Sequence, residues 1–352
     1  MMHYRKLVMT CAFCVPVAAA AIEPSDPQAA TMVQPSLPVV MEELIVSSEQ
    51  PGPGLWRVSK GDHVLWIVGT QTPVPKKMTW RARGVESIVS HAQEILTEPS
   101  ISVSMKQIGF FTALFLLPSA MEARKNPDGA TLRDVVPANL YRRWLVLRDK
   151  YIGEYKIDDE ENDIERWRPM FAALRLYSRA IDHSGLTTTS PVRKVIDEAA
   201  KKYKVKTTEV AYRPAINEPR AALNEFKSTR LTDLDCFART IERVETDVDA
   251  MRSRANAWAK GDVKAIRNLP DTDQRAACED AVRNATFMKT LGVQNFPALI
   301  ETLWLEAADA ALARNAVTLS SLPIARLLAA DGYVARLKAR GYTVQEPDSA
   351  VD

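Results

Sequence analysis

Between Gly54 and Glu98 the spacing of apolar positions changes twice. Leu55-Trp56-Arg57-Val58 and Val64-Leu65-Trp66-Ile67-Val68 are short runs rich in branched and aromatic side chains, with Lys60-Gly61-Asp62 between them. That pattern predicts a β-hairpin. Gly69 closes the second run and permits a sharp backbone exit into Thr70-Gln71-Thr72-Pro73. From Thr79 to Gln93, Val85, Ile88, Val89 and Ala92 recur at helical spacing. Glu94-Ile95-Leu96-Thr97-Glu98 then reads as a short strand that ends in a carboxylate before Pro99. Hairpin, loop, helix, strand and terminal acid form one unit, and loops at strand ends are where sites are usually built.

Further along, Ile108 to Leu117 is strongly apolar and stops at Pro118. It predicts a buried helix under the sheet; a membrane-contacting or partner-binding helix is the alternative. Ala138 to Tyr151 is helical, with Tyr141, Trp144, Leu145 and Leu147 as its apolar positions. The acidic run Asp158 to Asp163 lacks the central glycine and terminal glutamate of a calcium loop. It reads as the solvated start of a helix from Ile164 to Ile181, where acids suit the macrodipole. Ser190 is a candidate N-cap with Pro191 at the first helical position. A helix Val192 to Tyr203 and a strand within Lys206 to Tyr212 repeat the helix-then-strand order of the first unit. From Pro219 the chain is nearly all helical. Thr232 to Lys260 carries a continuous apolar face closed by Gly261, and helices follow at about 272–291 and 295–314. Asn315 to Leu319 reads as a strand, and Arg340 to Val344 as a helix cap and a last strand.

The chain has 352 residues, 46% of them apolar, enough for a sizeable core in one large domain or two lobes. Net charge is only +2, and no basic stripe with interleaved aromatics occurs, so nucleic acid is not an expected partner. No Gly-rich phosphate loop is present. Residues 1–21 read as a signal peptide. Arg5 and Lys6 form the charged region, Leu7 to Val17 the apolar one, and Ala18 to Ala21 offer small residues for cleavage. Retained, this stretch would be an anchor, but it falls short of the roughly 20 residues a spanning helix needs. The mature chain is expected to hold no transmembrane helix and to be exported, periplasmic or secreted, in a bacterium. Residues 22–53 are proline-rich and read as a lead-in outside the core, with Met41 to Val46 a short edge element. Residues 54–345 are expected to form the folded domain, and 346–352 a tail. After export Cys236 and Cys278 remain, and an oxidising compartment favours their pairing as a disulfide. Two separate buried thiols are the alternative.

Gly54 to Glu98, with Gly69-Thr70-Gln71-Thr72 at the hairpin end, resembles the TraB/GumN family. That family includes Tiki-type membrane metalloproteases and is similar to the ChaN and erythromycin-esterase-like folds. Its hairpin ends in Gly-x-x-His and its next strand in Glu, residues that help to bind a divalent metal. Here the glycine is present, Thr72 stands in the histidine's place, and Glu98 takes the place of the acid. The Trp-x-x-Gly-Asp ending at Trp258 to Asp262, the Arg283-Asn284 pair and the closing Gly341-Tyr342-Thr343-Val344 strand also resemble the family. Ser320-Ser321-Leu322-Pro323 takes the place of a second Gly-x-x-His, again without the histidine. The resemblance covers about 54 to 344. It implies an α+β, TraB/GumN-like fold of two small β-sheets wrapped by many helices, its C-terminal half mostly helical.

The mature histidines are His63, His91 and His183. None falls at a family ligand position, and each is expected in a structural or solvent role. Glu98 alone would hold a divalent metal weakly. Softer metals want imidazole or thiolate, hard cations want several oxygens, and Gln71, Thr72 and Ser320 offer only neutral ones. No cofactor is expected and no metal ligand set is assigned. There is no Gly-x-Ser-x-Gly elbow. Glu94 and Glu98 would project from one side of a regular strand as a carboxylate pair. The intact frame without its histidines implies an exported pseudoenzyme of metalloprotease-like fold that binds a peptide, glycan or protein partner in the cell envelope. Glu98, Gln71, Thr72 and Arg283 are its candidate cleft residues. Two alternatives stand beside it: an active hydrolase with a rearranged site around Glu98, and a structural or accessory envelope protein that interacts through its helical half.

Overall fold

The computed structural model describes residues 50–102, 109–153, 161–214, 218–229, 231–269, 274–283 and 295–347. The expected signal peptide, the edge element at 41–46, the first half of the acidic run, Asn284 and the last five residues lie outside them.

β1 (Leu55–Lys60) and β2 (His63–Thr70) form the expected hairpin. Gly61 takes φ = 59° in its two-residue turn, a conformation that glycine adopts without a Cβ clash. Register pairs Trp56 with Ile67 and Val58 with Leu65. All four are buried, so alternate residues of both strands enter the core. Next come β3 (Val74–Pro75), α1 (Arg83–His91), β4 (Glu94–Leu96) and β5 (Ser100–Ile101). A helical stretch follows as α2 (Phe110–Glu122), α3 (Leu132–Val135), α4 (Ala138–Tyr151) and α5 (Pro169–His183). β6 (Leu186–Thr187), α6 (Pro191–Tyr203), β7 (Lys206–Thr208) and β8 (Ala211–Tyr212) return to strand. Then come α7 (Pro219–Ser228), α8 (Leu234–Thr246), α9 (Val248–Ala259), α10 (Val263–Asn268), α11 (Gln274–Arg283) and α12 (Phe296–Arg314). β9 (Val317–Pro323), α13 (Ile324–Leu328), α14 (Tyr333–Ala339) and β10 (Thr343–Gln345) complete the domain.

The fold is α+β, and the strands are gathered more tightly than two small sheets. One six-stranded sheet runs β10-β1-β2-β9-β4-β7, and β3-β6 and β5-β8 are two-stranded ribbons. The unification comes from β9, which lies between β2 and β4, parallel to both. β7 pairs with β4 in the same sense. Four consecutive parallel strands therefore release their carboxyl ends along one edge, where open α/β sheets place their ligand crevices.

Buried side chains form one core around the sheet, including Trp56, Trp258 and Trp304, and a second among the helices, including Trp144, Leu176 and Phe237. Trp144 and Phe237 meet with ring centroids 5.6 Å apart. Cys236 on α8 and Cys278 on α11 are joined in a disulfide. Closing a loop across 42 residues contributes roughly 4 kcal/mol in the chain-entropy account. Among the described residues no helix is long and apolar enough to cross a membrane.

Three sequence expectations need correction. The helix expected from Ile164 begins at Pro169 instead, because Glu161–Arg166 forms a 3-10 segment. Proline belongs in a first helical turn, where its missing N–H needs no partner. The apolar run becomes α2 but is not a buried helix: Leu114, Phe115 and Leu117 are 55%, 71% and 55% exposed. The lead-in is not detached up to residue 53. Gly52 N–H donates to Ala259 O at 2.8 Å and Arg81 N–H to Gln50 O at 2.8 Å, which ties this end to α9 and to the approach to α1.

Candidate functional site

At the carboxyl edge, Thr70 is in register with Pro323 on β9. Glu98 lies two residues beyond β4, on the other side of β9. Thr70 Oγ1 donates to Glu98 Oε1 at 2.8 Å, a bond that spans the end of β9. A cleft of about 780 Å³ opens there, lined among others by Thr70, Gln71, Thr72, Glu98, Pro323 and Ile324. Thr72 and Pro323, which stand where the two histidines were expected, thus share one cleft. Thr72 is exposed, Gln71 is buried and donates its amide to Thr72 O at 3.1 Å, and Glu98 is half-buried.

The floor of this edge is held by large aromatics. Trp258 Nε1–H donates to Gly69 O at 2.7 Å, and Trp258 is fully buried. Gly69 is needed for space rather than for a turn. A Cβ there would lie 2.8 Å from the Trp56 ring, and its φ is not positive. The Trp-x-x-Gly-Asp ending therefore has a local cause for each residue. Trp258 clamps the β2 exit, Gly261 takes φ = 72°, and Asp262 Oδ1 accepts from Ala265 N–H as the N-cap of α10.

Ser320 is not a cleft residue. It is buried, donates to Leu96 O at 3.0 Å and accepts from Trp304 Nε1 at 3.1 Å, so its hydroxyl fastens β9 to β4 and to α12. Arg283 does not line the cleft either. It sits at the end of α11, in contact with Asp280 one turn back on its own helix. Glu94 and Glu98 do not act as a pair, because β4 stops at Leu96 and the two acids take different partners. Glu94 is 3% exposed. It accepts from Thr208 Oγ1 at 2.5 Å, Asn315 Nδ2 at 2.8 Å and Arg314 Nη2 at 3.0 Å, with Lys206 Nζ at 3.5 Å. Burial pushes its carboxyl up, but those bonds and the Lys206 charge outweigh it and hold the group at about 2.

The histidines sit elsewhere. His63 opens β2 with Nδ1 2.5 Å from Leu312 O, His91 Nδ1 bonds Ser87 O at 2.8 Å, and the His183 ring lies edge-on to Tyr151 at 5.4 Å. Among the described residues no three His, Cys, Asp or Glu side chains are grouped so as to hold a metal. The cleft's Glu98 is seated against a hydroxyl, and threonine and proline occupy the two histidine places. This donor set does not fit the family's divalent metal.

What sequence reading missed is the opposite wall. Arg193, Lys194, Asp197, Glu198 and Lys201 of α6 line the cleft, with Arg243 of α8 and Arg254 of α9. The α6 residues carried a readable signal: their spacing of three and four puts them on one helical face, opposite the buried Val192, Ile196, Ala199 and Ala200. Arg254 is 8% exposed and donates to Leu269 O at 3.0 Å. Arg243 lies over the Tyr177 ring at 5.8 Å. No periodicity marks these two, since they come from helices otherwise read as apolar packing. A second hollow of about 270 Å³ shares Glu98, Arg193 and Asp197 with the first.

No curated protein and no solved structure matches this chain. The model of the TraB/PrgY/gumN family matches residues 54–346, which takes in the hairpin, the cleft and the closing strand. On that match, the chain belongs to the TraB/PrgY/gumN family.

Proposed function

We propose that the chain is an exported, catalytically degenerate member of its family that binds a peptide, glycan or protein partner of the cell envelope in the cleft at the sheet's carboxyl edge. The supporting observation is the convergence of Thr72, Pro323 and Glu98 on one cleft whose other polar lining is hydroxyl, amide, guanidinium, ammonium and the carboxylates of Asp197 and Glu198. Such groups donate and accept hydrogen bonds along a chain-like ligand. They are poor company for a transition metal. The adjoining hollow past Glu98 lengthens the groove, as an extended ligand requires. Export rests on the charged, apolar and small-residue regions of residues 1–21 and agrees with the Cys236–Cys278 disulfide.

One contact favours a second reading, an active hydrolase. The Thr70 hydroxyl donates to Glu98 in the cleft, the arrangement of a hydroxyl beside a base. The two readings separate by metal analysis and peptide cleavage on purified mature protein. Binding without a bound divalent metal and without cleavage is the expected result. Stoichiometric metal together with cleavage that is abolished in Glu98→Ala would establish the hydrolase.

A further inference from the structure

We propose that α2 rests on the surface of a lipid bilayer, its outward arc lying in the headgroup boundary and held there by apolar contact alone. The observation is a helix turned inside out. Leu114, Phe115, Leu117, Pro118 and Met121 fall on one side of the helix and are exposed. The half-buried positions are Thr112, Leu116 and Ser119, and the Ser119 hydroxyl accepts from Lys227 Nζ of α7 at 3.5 Å. A helix that packs on its own domain does the opposite. In α6, Val192, Ile196, Ala199 and Ala200 are buried and the charges face outward. The outward arc of α2 is also uncharged. Gly109 to Met121 holds no acidic or basic residue, and Glu122, the first, is paired with Lys125 at 2.9 Å.

The size and composition of the arc choose the occupant. α2 has 13 residues, a length of roughly 20 Å. Its exposed apolar side chains offer on the order of 400 Å². A stable protein interface buries about 800 Å² on each partner, so the arc alone falls well short of a second copy's needs. The other exposed large apolar side chains come one to an element, among them Val146 on α4 and Leu174 on α5. A bilayer surface needs no matching partner, because a helix in its plane sinks its apolar side about 5–10 Å among the headgroups. α2 is too short to do more, since a span takes roughly 20 residues. With no cation on the arc, the contact is indifferent to lipid charge and to salt. None of these side chains lines the cleft, so the contact is separate from ligand binding there.

The test is co-flotation of the mature chain with vesicles, either of phosphatidylcholine or of phosphatidylcholine mixed with phosphatidylglycerol, at low and high salt. The variant is Leu114→Gln/Phe115→Gln/Leu117→Gln, and Val146→Gln, an equally exposed apolar position on α4, is the control. The chain should float with both vesicles to the same extent at either salt. The triple variant should partition about tenfold less, and the control should match the wild type. Circular dichroism checks the fold of the triple variant. Should that fold be lost, Phe115→Gln alone carries the test, with an expected loss of about threefold. No flotation, or equal flotation by the folded variant, would overturn the proposal. So would binding confined to the anionic vesicles and removed by salt, which is attraction by charge. Sedimentation velocity without lipid gives the remaining outcome: an oligomer that the variant dissociates would put a second copy on α2 and overturn the lipid reading. Each of these results leaves the cleft's binding reading to its own assay.

Discussion

The two acids that flank β4 began as equals in the sequence and ended in opposite situations. Glu94, at the strand's entry, is enclosed and accepts from three side chains, with the Lys206 ammonium nearby. Glu98, past its exit, has Thr70 as its hydrogen-bond partner and opens onto the cleft. Four residues of spacing say nothing about this difference. The sheet order decides it. At the entry end, β7 and the corner between α12 and β9 supply Thr208, Asn315 and Arg314. At the exit end, the parallel strands stop and leave a gap. One carboxylate is spent on holding the sheet together, and the other is available to a ligand.

The largest test of this contrast is Glu94→Ala. It leaves Asn315 and Thr208 without their acceptor and should cost about 3 kcal/mol in urea unfolding at neutral pH. A loss below about 1 kcal/mol would place Glu94 in the same class as Glu98. The same carboxyl sets an acid limit. Its native value of about 2 lies below the ordinary 4.5, so its contribution is complete above pH 4.5 and is lost as pH falls toward 2. Stability measured across that window should drop more steeply in the wild type than in Glu94→Ala. Next in size is Trp258→Phe, which removes the donor to Gly69 O and some packing. It should cost about 2 kcal/mol and speed amide exchange in Thr70 to Thr72. The smallest effect on stability belongs to Glu98→Gln, below about 1 kcal/mol, while ligand binding in the cleft changes. Thermal melts read the first and peptide binding by the purified chain reads the second.

Much of the fold could be read from spacing. The hairpin followed from alternation around a glycine turn, and α6 from Ser190, Pro191 and a clean apolar face. The place of Thr72 and Glu98 followed from strand ends. What could not be read depends on contacts remote in the chain. Glu94 finds its partners 112 to 221 residues away, and Arg243 and Arg254 reach the cleft from helices whose sequence shows only packing. The Phe110 to Leu117 run shows helical apolarity, but hydrophobicity alone does not say which neighbours will cover it, and much of it stays exposed. Arg283 rested on a dipeptide, and its helix packs at the disulfide instead.

The position of β9 carries one more consequence. A strand encoded near the chain's end fills the middle of the sheet, so β2 and β4 have no neighbour on their facing edges until residues 317–323 have been made. During synthesis, two bare edges wait on a late arrival. In that interval the bare edges are open to pairing with other chains.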